Sequence, residues 1–413
     1  MTEKKIQEAK ELPYATLLLL ALMGILIGGI AGVIDAVFGR VLLYLTAVRT
    51  AHPWYLLPFL GFIGLLIVYA YRSIGGKSSK GMGLLFEVGF DVEKTIPKRL
   101  VPMVIVTTWL THLFGGSAGR EGVAVQLGGA VSHWFSRFFY FPNKSRIFLL
   151  TGMAAGFAGL FQTPMAAILF ALEVLIVGSL GLGALVPMTV ASFTASLTSH
   201  SLGLEKFSHV ISEALPLSPK LFIELLILGL FFGLAGNLFA YLLARIKQVQ
   251  AGLFPNSYLR ILVTGFVLSI LFLSLHQGRY SGLGTNLIAA SFSGQQIYAY
   301  DWFLKLILTV LTLSAGFQGG EVTPLFAIGS SLGVLLAGFF HLPAELAAAL
   351  GYISVFGSAT NTYLAPIFIG AEVFGYQNLP AYFIAATFAY VVNRRHSIYT
   401  LQKIRENTAD NEQ

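Results

Sequence analysis

The chain has 413 residues, 56% of them hydrophobic and 11% charged, with a formal net charge of +7 and a mean hydropathy of +0.76. A soluble domain carries about 25% charged residues, so the composition excludes that class and points to a polytopic membrane protein. The lack of cysteine excludes a disulfide framework, thiolate metal sites and thiol catalysis, and basic residues scattered between apolar segments speak for loop bias rather than nucleic-acid binding.

In chain order, the start Met1–Glu11 mixes acids and bases ahead of an apolar run with no cleavage site, which predicts no cleaved signal peptide. The uncharged stretches Leu12–Ile34, Tyr55–Tyr71, Val101–Gly119, Val174–Leu204, Leu225–Ala244 and Val373–Asn393 are each near or above the roughly 20 residues that cross hydrocarbon. Other apolar segments are short or broken by glycine. The polar, proline-containing stretch Ser201–Lys220 reads as a seam, and no regulatory domain is expected after Arg405. Lys4, Lys5 and Lys10 precede the first span, and Arg394, Arg395, Lys403 and Arg405 follow the last, so both termini are expected to face the cytoplasm.

Two acids stand out against this background. Glu121 lies in Gly119-Arg120-Glu121-Gly122-Val123-Ala124-Val125-Gln126, and Glu321 lies in the similar frame Gly319-Gly320-Glu321-Val322-Thr323-Pro324. Each opens an apolar helix, and an ionisable group at bilayer depth is a functional-site hypothesis by default. A second pair recurs in the same order: Gly156-Phe157-Ala158-Gly159-Leu160-Phe161-Gln162-Thr163-Pro164 continuing to Glu173, and Gly357-Ser358-Ala359-Thr360-Asn361-Thr362-Tyr363-Leu364-Ala365-Pro366 continuing to Glu372. The order predicts two related halves, residues 1–205 with a cytoplasmic segment 1–12, and residues 220–406, joined by a linker over 206–219 and followed by a short cytoplasmic tail, 407–413. If each half makes an odd number of crossings, the second is inverted relative to the first.

Glycine before each acidic helix leaves the first N–H groups of that helix unpaired, with their partial positive charge aimed at the break. An anion can be held there. Irregular backbone at that depth must line protein or a wet cavity, so the breaks are expected on a permeation route. A carboxylate there is a tethered anion, able to fill the site when ionised and to vacate it when protonated. Glu121 is thereby a candidate to couple anion and proton movement. The plainer reading, an acid that only offsets the helix dipole, stands nearly level with it for Glu321.

These motifs, with the late Tyr399, resemble the chloride channel and transporter family usually called CLC, across nearly the whole transmembrane chain. The resemblance implies an all-α polytopic membrane protein: an inverted repeat of tilted and partly re-entrant helices, assembled as a homodimer with one pore per subunit. It places Glu121 on the external gating glutamate and Tyr399 on the anion-contacting tyrosine; an interfacial aromatic anchor is the other reading of Tyr399.

Departures from the chloride-selective pattern narrow the resemblance. Met82 stands between Gly81 and Gly83 in place of serine, Val123 replaces the proline that closes the Glu121 motif, and Glu321-Val322-Thr323 replaces an apolar-Phe-small sequence before Pro324. This combination is similar to the fluoride-exporting branch, whose members exchange fluoride for protons across the bacterial plasma membrane. It implies Met82, Glu121, Glu321, Val322, Thr323 and Tyr399 as transport-site positions. A core role is the alternative for Met82, and capping of the following helix the alternative for Thr323. Glu173 is followed by Val174 rather than a second acid, so the usual internal proton acceptor is missing, and Glu321 is expected to assist Glu121 instead. Arg120 is either an attractor at the pore mouth or an ordinary ion partner, while Glu173 and Glu372 are expected to be structural.

The sequence also fits competing classes less well. Gly115-Gly116-Ser117-Ala118-Gly119 formally matches a nucleophile motif, but a helix-like segment precedes it where a strand is required. No enzyme activity is expected. No phosphate loop, paired-histidine helix motif or Cys/His cluster is present, so neither a cofactor nor ATP-driven pumping is expected. The substrates expected are fluoride and protons, with a passive chloride channel or a chloride/proton exchanger as the alternatives.

Overall fold

A computed structural model describes residues 13–180, 182–212, 214–393 and 396–404. The basic residues Lys4, Lys5, Lys10, Arg394, Arg395 and Arg405 that carry the expected orientation lie outside the described residues, as does the tail 407–413. The elements are helical throughout apart from two two-residue strands. The first set of helices is α1 (Tyr14–Ala51), α2 (Pro53–Leu56), α3 (Leu60–Ala70), α4 (Met82–Gly89), α5 (Leu100–Leu113), α6 (Glu121–Phe135), α7 (Lys144–Phe161), α8 (Pro164–Glu173) and α9 (Leu185–Ser201). The second is α10 (Pro219–Leu253), α11 (Ser257–Ser274), α12 (Thr285–Phe292), α13 (Asp301–Ala315), α14 (Val322–Phe340), α15 (Ala344–Thr360), α16 (Leu364–Phe374) and α17 (Leu379–Val392). Strands β1 (Ile176–Val177) and β2 (Lys403–Ile404) pair in parallel.

The same pairings are made twice. α1 packs on α9 and α7 as α10 packs on α17 and α15, and α6 lies on α7 as α14 lies on α15. Small residues make these contacts close, as they must where lipid is as apolar as the side chains and packing alone drives association. On α1, a Cβ at Gly24 or Gly32 would sit 2.9 Å from Pro187 O or 2.6 Å from Ala195 O of α9; on α10, one at Gly229 or Gly233 would sit 2.6 or 2.7 Å from carbonyl oxygens of α17.

The two Pro-containing joints also match. α7 ends on Gln162 at φ 56° and α15 on Asn361 at φ 53°, each a left-handed stop, after which a short helix carries the late acid. The Glu173 carboxylate then accepts from Tyr363 N at 2.6 Å and Leu364 N at 2.9 Å, at the start of α16. Glu372 accepts from Met165 N at 3.2 Å and Ala166 N at 2.9 Å, at the start of α8. Each acid satisfies the orphan donors of the other's helix.

Six helical stretches among the described residues are long and apolar enough to cross a membrane, and large side chains such as Leu22, Ile25, Val37 and Phe231 are exposed on them. The sequence-based spans need three corrections. Val101–Gly119 stops being helical at Leu113, because Gly115, at φ 95°, turns the chain away. Val174–Leu204 is not one span: it runs through β1 and a short 3-10 turn before α9 begins. Val373–Asn393 breaks at Gly375, at φ 92°, between α16 and α17. In the opposite sense, α1 continues past Ile34 through Asp35 and Arg40.

Between α9 and α10 the chain is non-helical, and it lies on the protein rather than looping away. His209 N and Ile211 N donate to Val373 O and Phe374 O at 3.0 and 2.9 Å, and the Phe207 ring stacks on Tyr352.

Candidate functional site

The loops that precede α6 and α14 meet. Gly119 and Gly320 form an antiparallel bridge, Gly119 N donating to Gly320 O at 2.5 Å and Gly320 N to Gly119 O at 2.8 Å. Glycine is required by the approach itself: a Cβ at Gly119 would lie 2.9 Å from Pro324 Cδ, and one at Gly320 would lie 2.9 Å from Gly122 N. The bridge thus sets two helix N-termini side by side.

Glu121 is the first residue of α6, yet its carboxylate serves α14. Its Oε2 accepts from Thr323 N at 3.1 Å and from the Thr323 hydroxyl, and lies 3.3 Å from the donating Arg120 N. The side chain is 1% exposed. An anionic group therefore occupies the donor set of a helix start, where backbone N–H groups and the macrodipole favour negative charge. The Arg120 guanidinium stands beside it, Nε 3.7 Å from Oε1.

Of the other expected positions, Glu321 and Val322 sit at the same helix start. Glu321 is the N-cap of α14, with Oε2 only 3.5 Å from where a Cβ of Gly122 would be, so its carboxylate lies against the first turn of α6. Val322 opens α14 and is buried. Thr323 presents a backbone and a side-chain donor, and both meet the Glu121 carboxylate.

Tyr399 and Met82 lie further along. The Tyr399 ring packs on Phe86 of α4 at 5.4 Å and Phe170 of α8 at 6.3 Å. Its hydroxyl is buried without a hydrogen-bond partner. Ile398 N donates to Ala359 O, and the Gln402 amide donates to Val174 O at 2.9 Å and Thr360 O at 3.0 Å, which fixes the Tyr399 segment against α8 and α15. Met82 opens α4 behind Gly81, at φ 52°, and is half-buried. It shares α4 with Phe86, one turn on, and this is the link between Met82 and Tyr399.

A water-sized cavity of about 30 Å³ adjoins Glu121, lined by Arg120, Glu121, Thr323, Tyr352, Glu205 and Lys206 among others. Glu205 and Lys206 also line a wider, open cavity of about 640 Å³ formed with the end of α9. Glu205 and Lys206 come from the seam, where sequence spacing gives no sign that they line a cavity. Four further buried charges escaped the sequence reading, Asp35, Arg49, Asp301 and Lys305; of these Asp35 interrupts the apolar run of α1, and Lys305 that of α13, its Nζ donating to Ser117 Oγ at 2.8 Å and Gly282 O at 2.7 Å. Ser117 is fully buried and its hydroxyl is shared with Lys305 and Thr309, while both His112 ring nitrogens face backbone carbonyls. The formal nucleophile motif is thus a packing element.

Comparison with known proteins agrees with this architecture. The voltage gated chloride channel family matches residues 63–394. A "chloride/fluoride channel protein" of Pseudomonas syringae pv. tomato is 38% identical over 93% of this chain and 86% of its own length. The crystal structure of a CLC-type fluoride/proton antiporter, 54% identical, superposes with a TM-score of 0.94 over 96% of this chain and 100% of that one. A slow cyanobacterial Cl⁻/H⁺ antiporter, 20% identical, shares the fold with a TM-score of 0.78 over 90% of this chain and 93% of that one. The chain is a multi-pass membrane protein and belongs to the voltage-gated chloride channel family.

Proposed function

We propose that this protein is a fluoride/proton antiporter that exports fluoride from the bacterial cytoplasm, with Glu121 as the gate that competes with the anion and carries the proton. The observation that carries the reading is the seating of the Glu121 carboxylate on Thr323 N and Oγ at the start of α14. Donors that hold a carboxylate oxygen there suit a small, strongly hydrated anion, whose desolvation must be offset by close hydrogen bonds. Protonation removes the charge that the donors hold, so Glu121 leaves and fluoride enters. Glu321, against the first turn of α6, assists the protonated Glu121 or the anion, and Val322, Thr323, Met82 and Tyr399 line the route. The 54% identity to a fluoride/proton antiporter supports the substrate pair.

The same reading includes two inverted repeats, 1–205 and 220–406, joined by 206–219, with both termini cytoplasmic and two copies assembled in the plasma membrane. The repeated helix pairings and the reciprocal Glu173 and Glu372 caps support the division. A chloride-conducting channel is the second reading, favoured by the name of the Pseudomonas relative.

Flux from liposomes containing the purified protein separates them. With a fluoride electrode and a pH electrode in one chamber, an imposed fluoride gradient should drive protons uphill while chloride passes poorly. Chloride flux equal to fluoride flux, with no proton movement, would favour the channel.

A further inference from the structure

From the last turn of α6 into its connection to α7, six of the eight residues over 134–141 are aromatic: Trp134, Phe135, Phe138, Phe139, Tyr140 and Phe141. Phe139 and Phe141 pack on Phe148 of α7 at 4.9 and 6.5 Å, while Phe138 and Tyr140 are 58% and 93% exposed. Cations stand over the outer rings. Lys98, just before α5, and Arg137 both lie over the Trp134 indole, Nζ at 4.7 Å and Cζ at 3.8 Å from its centroid. Arg137 also covers Phe138 at 4.7 Å, and Lys144 covers Tyr140 at 4.9 Å.

The segments 94–99 and 134–146 together carry six Lys or Arg residues and no acid. Among the neighbouring acids, Glu93 and Glu87 are ion-paired with Lys77 and Lys80, and Asp91 is ion-paired with none of these cations. The aromatic faces hold the cations in place but do not neutralise them. Rings as exposed as Tyr140 suit the boundary between headgroups and hydrocarbon, and unpaired Lys and Arg at that boundary attract anionic headgroups. α6 is 15 residues long, which sets this surface about 20 Å from Glu121, at the far end of the helix.

We propose that this surface binds an anionic phospholipid of the surrounding membrane, its headgroup met by Lys98, Arg137 and Lys144 and its acyl chains lying along Phe138. The inference goes beyond the transport reading and does not depend on which ion is carried. It ties the start of α5, the end of α6 and the start of α7 to one lipid.

The test is lipid binding to the full chain, purified in detergent and stripped of lipid, followed by native mass spectrometry with phosphatidylglycerol and with phosphatidylcholine. The first should bind more than about tenfold more tightly. In Lys98→Gln with Arg137→Gln, affinity for phosphatidylglycerol should fall about 25-fold, the product of about fivefold for each cation removed, while affinity for phosphatidylcholine stays unchanged. Lys220→Gln, at a side chain 82% exposed on α10, should change neither. Equal affinity for the two lipids, or an equal loss in Lys220→Gln, overturns the assignment. Displacement of phosphatidylglycerol by millimolar inorganic phosphate overturns it as well, since the ligand would then be a soluble anion. If the double variant does not elute as a folded species, Lys144→Gln on α7 should lower phosphatidylglycerol affinity about fivefold, and no change there overturns the assignment equally.

Discussion

Glu121 and Thr323 meet across the bridge between two helix starts, the carboxylate of one accepting both the backbone N–H and the hydroxyl of the other. The hydroxyl is the separable part of this arrangement. Thr323→Val keeps the shape and the backbone donor but removes a hydrogen bond to a charged acceptor, which contributes about 1.5 to 3 kcal/mol. Fluoride affinity measured by calorimetry should fall at least tenfold, whereas Thr323→Ser should stay near the unmodified value. Equal affinity in the valine variant would remove the hydroxyl from the anion site.

Glu121→Gln tests the exchange of side chain for substrate. The amide occupies the same volume but carries no charge to compete and no titratable proton. Proton-coupled fluoride flux in liposomes should be abolished while the protein remains monodisperse and folded. Normal coupled turnover would refute the gating role.

The bridge can be attacked without touching a charge. In Gly119→Ala the new methyl would lie 2.9 Å from Pro324 Cδ, 3.0 Å from Gly320 O and 3.1 Å from Thr323 N. Two backbone atoms and a rigid proline ring cannot yield, so the two helix starts must part. Overpacking of this kind costs about 1 to 3 kcal/mol, visible as a lower thermal midpoint in detergent, and coupled flux should fall with it. Gly338→Ala, where a Cβ meets nothing within 4 Å, is the control expected to change neither.

The paired motifs around Glu121 and Glu321, and around Pro164 and Pro366, were legible because each is a local departure: an acid or a proline among small residues in an apolar run. That both breaks should be covered was also readable, since irregular backbone at depth must line protein or a wet cavity. The lengths of the spans were less so. Uncharged composition does not mark where a helix stops, and Gly115 and Gly375 end theirs through backbone conformation, at φ 95° and 92°. Asp35 was missed because the apolar stretch was closed at Ile34, although an acid inside a helix that continues to Ala51 is itself a signal. Lys206 of the seam and Tyr352 of α15 reach the cavity beside Glu121 only through tertiary packing.

Glu321→Gln addresses proton coupling. Val174 stands where an internal acid would otherwise follow Glu173, and Glu321 is the acid that lies against the first turn of α6. The neutral variant retains the N-cap geometry of α14, so binding should survive better than coupled transport. Fluoride and pH electrodes together should show slower or uncoupled proton flux. Undiminished coupled flux would reduce Glu321 to a residue that offsets the helix dipole.

The reciprocal caps give a stability prediction that is independent of transport. Glu173 holds the first N–H groups of α16, and Glu372 those of α8, with N···O distances between 2.6 and 3.2 Å. Replacing either by alanine uncovers buried donors at a helix start, at a cost of about 1 to 3 kcal/mol. Lys206 also donates to Glu372 O, but through the backbone carbonyl, which the substitution leaves in place. Glu173→Ala and Glu372→Ala should therefore lower the thermal midpoint by similar amounts, and the double variant should lose roughly the sum, since each acid serves a different helix. Transport per folded molecule should stay close to that of the unmodified protein. A large loss of coupled flux in Glu173→Ala at unchanged stability would instead place Glu173 on the proton route.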